Sequence, residues 1–188
     1  MNKEERLDRR YSLAYRADYS SRYHRRRASF LNAVDKAANL FVIVAGTSAF
    51  VSLVGTENVL LPKVAAVAVT IVTIAQVILG IGASGARHEE WMRRWDRMAN
   101  EIRASPNPTA SELQAWDNAR ASIEGECVSE LRALTISCEN DARAFLGTQE
   151  GIRKVNRLQR FCIQLGTFQN EFELLEPAPL PPQLPSES

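Results

Sequence analysis

Ala37-Ala-Asn-Leu-Phe-Val-Ile-Val-Ala-Gly-Thr-Ser-Ala-Phe-Val-Ser-Leu-Val-Gly-Thr56 is a run of twenty residues without a charge, bounded by Lys36 and Glu57. Wound as an α-helix it reaches ~30 Å, about the thickness of one hydrocarbon core. A second uncharged run extends from Val64 to Ala86, between Lys63 and Arg87, and would reach about 34 Å at the same rise. A water-soluble core seldom needs one such run, and hardly ever two in succession. The runs therefore predict transmembrane helices over 37–56 and 64–86. Only the seven residues 57–63 connect them, with Pro62 suited to the first turn of the second helix. Spans joined so closely must be antiparallel neighbours, a transmembrane hairpin.

Outward from the hairpin the composition changes. The whole chain has 188 residues and a formal net charge of +1, which argues against nucleic-acid binding driven by bulk charge. Its mean hydropathy of -0.22 looks soluble only because the apolar residues are segregated into the two runs. Basic residues crowd both flanks: Arg22, Arg25, Arg26, Arg27 and Lys36 before the first run, and Arg87, Arg93, Arg94 and Arg97 after the second. The connection carries only Glu57 and Lys63. Basic flanks stay on the cytoplasmic side, so both termini are expected there. The charged opening residues do not read as a signal peptide, which leaves insertion to the first span.

Small residues indicate how the helices meet. Ala45, Ala49 and Ser52 recur on one face of the first span, while Gly80 with Ser84 and Gly82 with Ala86 give small-xxx-small spacing in the second. In lipid, close backbone approach and packing replace the hydrophobic drive. Thr70, Thr73, Gln76 and Gly80 share a face of the second span and could line a water path in an oligomer. Gln76 is the sharpest of these, because an unpaired amide in hydrocarbon is costly. Its other reading is a hydrogen bond within the hairpin.

Gly80-Ile-Gly-Ala-Ser-Gly85 matches the dinucleotide-binding pattern G-x-G-x-x-G letter for letter. That chemistry needs a strand before the glycines and further strands to build a crevice. The run before Gly80 is too long for one strand, and everything after Arg87 reads as helix, so helix packing is the better account.

The two ends read as a cytoplasmic helical bundle. Residues 1–36 form an amphipathic helix in which Leu7, Tyr11, Tyr15, Tyr19 and Tyr23 step by four, a packing stripe holding all four tyrosines. Tyr23, His24, Arg25, Arg26 and Arg27 then make a juxtamembrane basic motif, suited either to acidic lipid head groups or simply to fixing orientation. Over 87–176 a helix continues unbroken from the second span through Trp91, Trp95, Met98 and Ile102 until Pro106-Asn-Pro108 stops it. Thr109 with Glu112 predicts a capping box for a helix bearing Leu113, Trp116, Ala119, Ile123 and Cys127. Two more helices follow, one with Leu131, Leu134, Cys138, Ala142 and Phe145 inward and Gly147 as its stop. The other carries Ile152, Val155, Leu158, Cys162, Leu165 and Phe172. Residues 177–188 are proline-rich and expected to be disordered.

No catalytic group, metal site or cofactor is expected. His24 and His88 lie far apart in sequence, and His88-Glu-Glu lacks the second histidine of a helical zinc site. Cys127, Cys138 and Cys162 are odd in number, without C-x-x-C spacing, and read as free thiols in a reducing compartment.

The order of these features resembles the SLATT family, two-transmembrane effector domains found beside bacterial nucleotide-signalling defence genes. The carrying residues are Tyr23-His-Arg-Arg-Arg27 with Phe30 ahead of the first span, the paired spans, and Ala86-Arg-His-Glu-Glu90 after the second. Cys138-Glu139-Asn140, followed by Ala144 and Gly147, is similar to the family's later cysteine-glutamate-asparagine element. The likeness covers residues 10 to 170 and departs from the family at Cys127-Val-Ser, where a proline often opens the next helix. It implies an oligomeric effector that forms a pore in, or disrupts, the inner membrane during anti-phage defence, held or triggered by a partner encoded nearby. Two spans per chain cannot enclose a water path, so a homo-oligomer is required. The alternative is a membrane-anchored scaffold or sensor without pore activity.

Overall fold

The computed structural model describes residues 1–55, 60–127, 131–145, 152–156 and 163–164, with the side chains of 48–55 and 61 outside that set. The described residues hold five helices and no strand: α1 (Lys3–Gly55), α2 (Leu60–Leu79), α3 (Ile81–Ala104), α4 (Ala110–Glu126) and α5 (Arg132–Phe145). The chain divides into two compact units, Met1–Ser20 with Glu101–Ser188, and Ser21–Asn100.

In the second unit, α1 and the α2–α3 pair run antiparallel. Asn39 meets Gln76, Asn32 meets Glu89 and Ser21 meets Asp96, so later residues of one arm meet earlier residues of the other. α1 is one helix of 53 residues, continuous through the expected boundary at Lys36. Pro62 lies in the first turn of α2, where its missing N–H costs nothing. The helix expected to continue beyond the second span does so, α3 running unbroken to Ala104; the interruption falls inside the expected span, at Gly80, whose φ is +55°. Only glycine enters that left-handed region without a steric penalty. The interruption is local, because Gly80 N–H still donates to Gln76 O at 3.0 Å and Ser84 N–H to Gly80 O at 2.8 Å.

Two stretches, Lys3–Thr47 and Pro62–Ala104, are helical, long and apolar enough to cross a membrane. A soluble core helix would pass the same test but would be buried. Here only 6% of the apolar window in the first stretch and 0% in the second lie inside the protein. Leu40, Ile43, Val44, Val64, Val67, Ile71, Ile74, Val77, Ile78 and Leu79 are all more than half exposed.

The other unit is held by ordinary burial and by polar ties from the start of α1. Leu13, Ala17, Ile102, Leu113, Trp116, Ile123, Leu134, Cys138 and Ala142 are buried. Thr109 and Glu112 close the capping box, Glu112 N–H donating to the Thr109 hydroxyl and Thr109 N–H to the Glu112 carboxylate. Arg10 Nε donates to the carbonyls of Ile102 at 3.2 Å and Ser105 at 2.8 Å, satisfying acceptors that the end of α3 leaves open. Arg9 pairs with Asp117, Arg16 with Glu124 and Arg103 with Asp18.

Three expected faces change. Phe145 is 68% exposed rather than inward, and Ala119 is exposed while Leu113, Trp116 and Ile123 of α4 are buried. The tyrosine ladder turns from solvent to core, with Tyr11 at 52% exposure and Tyr23 at 3%. Four-residue steps drift around a helix of 3.6 residues per turn. The stretch Ile152–Asn156 is not helical. Arg153 N–H donates to Asn140 Oδ1 at 3.0 Å and Arg153 O accepts from Asn140 Nδ2 at 2.7 Å, so both backbone groups that a helix would use are engaged. Leu158, Cys162, Leu165, Phe172, Gly147 and residues 177–188 lie outside the described residues.

Candidate functional site

The buried stripe of α1 in the second unit is short of large apolar side chains: Ser21, His24 and Ala28, ending at Leu31, with Tyr23 beside it. Such side chains allow a neighbouring backbone to come close. At Gly85 a Cβ would stand 2.3 Å from Asn32 Oδ1, and at Gly82 it would stand 3.4 Å from Asp35 Oδ1. Of the glycines in the G-x-G-x-x-G string, Gly80 thus serves a left-handed turn and Gly85 a close approach of α3 to α1, while Gly82 leaves room for a Cβ.

Where the arms pass each other, polar side chains face across in three levels. The first joins Gln76, Asn39 and Asp35. Gln76 Nε2 donates to Asn39 Oδ1 at 3.2 Å and, at 3.4 Å, to Asp35 Oδ1, while Asn39 Nδ2 donates to Asp35 Oδ2 at 3.1 Å. The amide singled out in sequence therefore has partners inside the chain. Thr70 and Thr73 bond back to their own helix, to Ala66 O at 2.8 Å and Val69 O at 2.9 Å. Both threonines are exposed. Asn32 Nδ2 to Glu89 Oε1, at 2.6 Å, makes the second level.

The third level is a cluster of four rings. His24 and His88 approach Nδ1 to Nδ1 at 2.8 Å, and Trp91 stands 5.4 Å from the first ring and 5.2 Å from the second, centroid to centroid. Tyr23 lies edge-on to both histidines at 5.2 and 6.3 Å. A bond between two Nδ1 atoms requires one ring to donate and the other to accept, so the two imidazoles hold different tautomers. Burial lowers the His24 pKa to about 3, with His88 adding to the effect. Burial also lowers His88, to about 4, helped by the cations Arg27 and Arg87. Both rings are neutral at physiological pH.

Of the basic motif, Tyr23 and His24 are buried in this cluster, and Arg27 sits over the Phe30 ring at 5.8 Å. Arg25 pairs with Asp96 at 3.1 Å, and Ser21 donates to the same carboxylate. Arg26 is exposed. His88 and Trp91 were not grouped with the motif from sequence. A hairpin folded about its short loop predicts the pairing in outline, because residues at similar distances from the turn must pass each other.

The remaining predicted residues are dispersed. Gly80 holds the turn, Ser84 accepts from Arg87 Nη2 at 3.2 Å, and Ala45 is partly exposed. The side chains of Ala49 and Ser52 lie outside the described set. Cys138 is buried, Glu139 is half-buried, and Asn140 holds the backbone of Arg153. Among the described residues no three His, Cys, Asp or Glu side chains gather as metal ligands.

Taken together, fold and site define an all-helical protein with two helices long and apolar enough to cross a membrane. No family model, curated protein or solved structure matches the chain.

Proposed function

We propose that the chain is a membrane protein in which α1 beyond Lys36 and α2 form a transmembrane hairpin, with both ends folded as helices in the cytoplasm. What carries this is the exposed band of Leu40–Val44 and Val64–Leu79, an apolar surface far beyond the scattered patches of a soluble monomer. On the SLATT resemblance, the function is that of an oligomeric effector that opens or disrupts the inner membrane in anti-phage defence, triggered by a partner or nucleotide signal. Several hairpins would have to assemble, with Thr70, Thr73 and Gln76 turned toward a shared axis.

The second reading, a membrane-anchored scaffold or sensor, is favoured by the Gln76 amide being satisfied by Asn39 and Asp35 within one chain. Purified chain reconstituted in dye-loaded liposomes separates the two. Dye or ion release supports the effector. Sealed vesicles, together with function that survives exchange of both spans for an unrelated hairpin, would leave the scaffold.

A further inference from the structure

We propose that the chain's own segment Glu176-Pro-Ala-Pro-Leu-Pro-Pro182 docks along the opening turns of α1, its glutamate toward Lys3 and Arg6 and its prolines over Tyr11, Tyr15 and Phe145. The surface belongs wholly to the unit of Met1–Ser20 with Glu101–Ser188, so the proposal stands apart from the membrane reading.

Three observations converge. The first is shape. Lys3, Leu7, Arg10 and Ala14 follow the i, i+4, i+7, i+11 spacing of one helix face. Two hollows lie along it, one of about 250 Å³ at Lys3, Arg6, Leu7 and Pro108, the other of about 190 Å³ at Arg10, Tyr11, Tyr15 and Phe145. Both are smaller than the pockets that enclose cofactors, and suit single side chains of a strand laid across them. From Lys3 to Tyr15 the helix rises about 18 Å, and Glu176 to Pro182 spans about 19 Å in the polyproline II form.

The second is the apolar strip. Leu7 is 37% exposed, Tyr11 52% and Phe145 68%, so aromatic and aliphatic surface faces outward between the two charged ends. Aromatic-lined grooves hold Pro-x-x-P segments, which lose little entropy on binding because they are extended beforehand. Pro179-Leu-Pro-Pro182 is such a string. The third is charge. Lys3, Arg6, Arg10 and Arg103 line the hollows against the single carboxylate of Asp18, while Glu4, Glu5 and Asp8 line neither. Residues 165–188, outside the described set, carry Glu171, Glu173, Glu176 and Glu187 and no lysine or arginine. Reach is sufficient: Gln164 belongs to the same unit, and the chain from there to Glu176 extends up to about 40 Å.

The test uses the full chain in detergent, with a carbodiimide joining amines to carboxylates in contact and mass spectrometry locating the bond. The lysines are Lys3, Lys36, Lys63 and Lys154, so each linkage is assignable. Wild type should join Lys3 to Glu176 or to Glu173. Leu7→Ser with Tyr11→Ser, both exposed, should cut that yield severalfold, and so should Pro179→Ser with Pro182→Ser. Linkage from Lys154 should stay unchanged in both, and circular dichroism should show every variant helical. Absence of the Lys3 linkage in wild type, or its persistence in both serine pairs, would overturn the docking. In a mixture of chains with and without heavy nitrogen, linkage within one chain is expected. Linkage between a heavy and a light chain would overturn the intrachain contact in favour of a second copy.

Discussion

His24 on α1 and His88 on α3 share a single hydrogen bond between their Nδ1 atoms, 2.8 Å apart, and Trp91 packs against both rings. The bond needs at least one ring unprotonated at Nδ1, since two imidazolium Nδ1–H groups would meet donor to donor. Burial, the principal cause at each ring, and the nearby guanidiniums of Arg27 and Arg87 all oppose protonation. Glu89, whose carboxylate accepts from Asn32, is the acidic neighbour in sequence.

Stability should therefore fall with acid earlier than carboxylate titration explains. Unfolded histidine titrates near pH 6.5, whereas the folded rings titrate near 3 and 4. Below about pH 6.5 the unfolded chain binds protons that the folded chain refuses, so stability is full above that value and declines as the pH falls toward 4. Thermal unfolding in detergent should show a decline between pH 6.5 and 5, where most carboxylates remain charged. In His24→Phe with His88→Phe that slope should flatten. A flat wild-type profile would contradict a buried neutral pair.

Gly85 supplies a prediction whose sign depends on its neighbour. A methyl there would sit 2.3 Å from Asn32 Oδ1, forcing the amide away from Glu89. Gly85→Ala should therefore destabilise the chain by about 1 kcal/mol net, the clash outweighing the gain in helix propensity. Placed in an Asn32→Ala background, the same change should become stabilising by up to about 1 kcal/mol, because only the propensity term remains. Gly82→Ala, whose Cβ would find Asp35 at ordinary contact distance, should be tolerated. Denaturation midpoints of the four variants check this, and unchanged sign in the Asn32→Ala background would refute the close approach.

Asn140 offers a local test in the other unit. Its amide engages both backbone groups of Arg153, so Asn140→Ala removes two hydrogen bonds, about 1–2 kcal/mol. Asn140→Asp keeps the acceptor for Arg153 N–H but sets a carboxylate against Arg153 O, and should be no better than alanine. Hydrogen exchange at the Arg153 amide is the direct readout. It should quicken in Asn140→Ala and in no variant of the hairpin.

The apolar runs made the long helices legible, because absence of charge over twenty residues has few physical explanations. Caps and stops were legible too: Thr109 with Glu112 at one helix start, and Pro106-Asn-Pro108 beyond the end of α3. The packing face of α1 was hidden. Its buried positions include Ala17, Ser20, Ser21, His24 and Ala28, which carry little hydrophobic signal, while the conspicuous tyrosines begin exposed. Gly80 gave no warning of its left-handed turn, since glycine in an apolar helix is equally compatible with simple packing. The segment near Ile152 kept a helical pattern that lost to the Asn140 clasp, a contact across thirteen residues that no local periodicity records.

Gln76 and the threonines of α2 separate a water-lined path from a purely structural hairpin. Gln76→Leu alone is ambiguous, since it removes the donor to Asn39 and Asp35 and should destabilise the hairpin by about 1–3 kcal/mol whatever its function. Thr70 and Thr73 bond only the carbonyls of their own helix turn among the bonds described, and valine matches threonine closely in shape. Thr70→Val with Thr73→Val should therefore leave folding within about 0.5 kcal/mol, the usual range for exposed substitutions. If that face lines a path for ions, the same pair dries it, and ion flux through reconstituted chains should fall severalfold at unchanged stability. Flux that survives the threonine pair but collapses with Gln76→Leu in step with lost stability would assign the amide to holding α1 and α2 together.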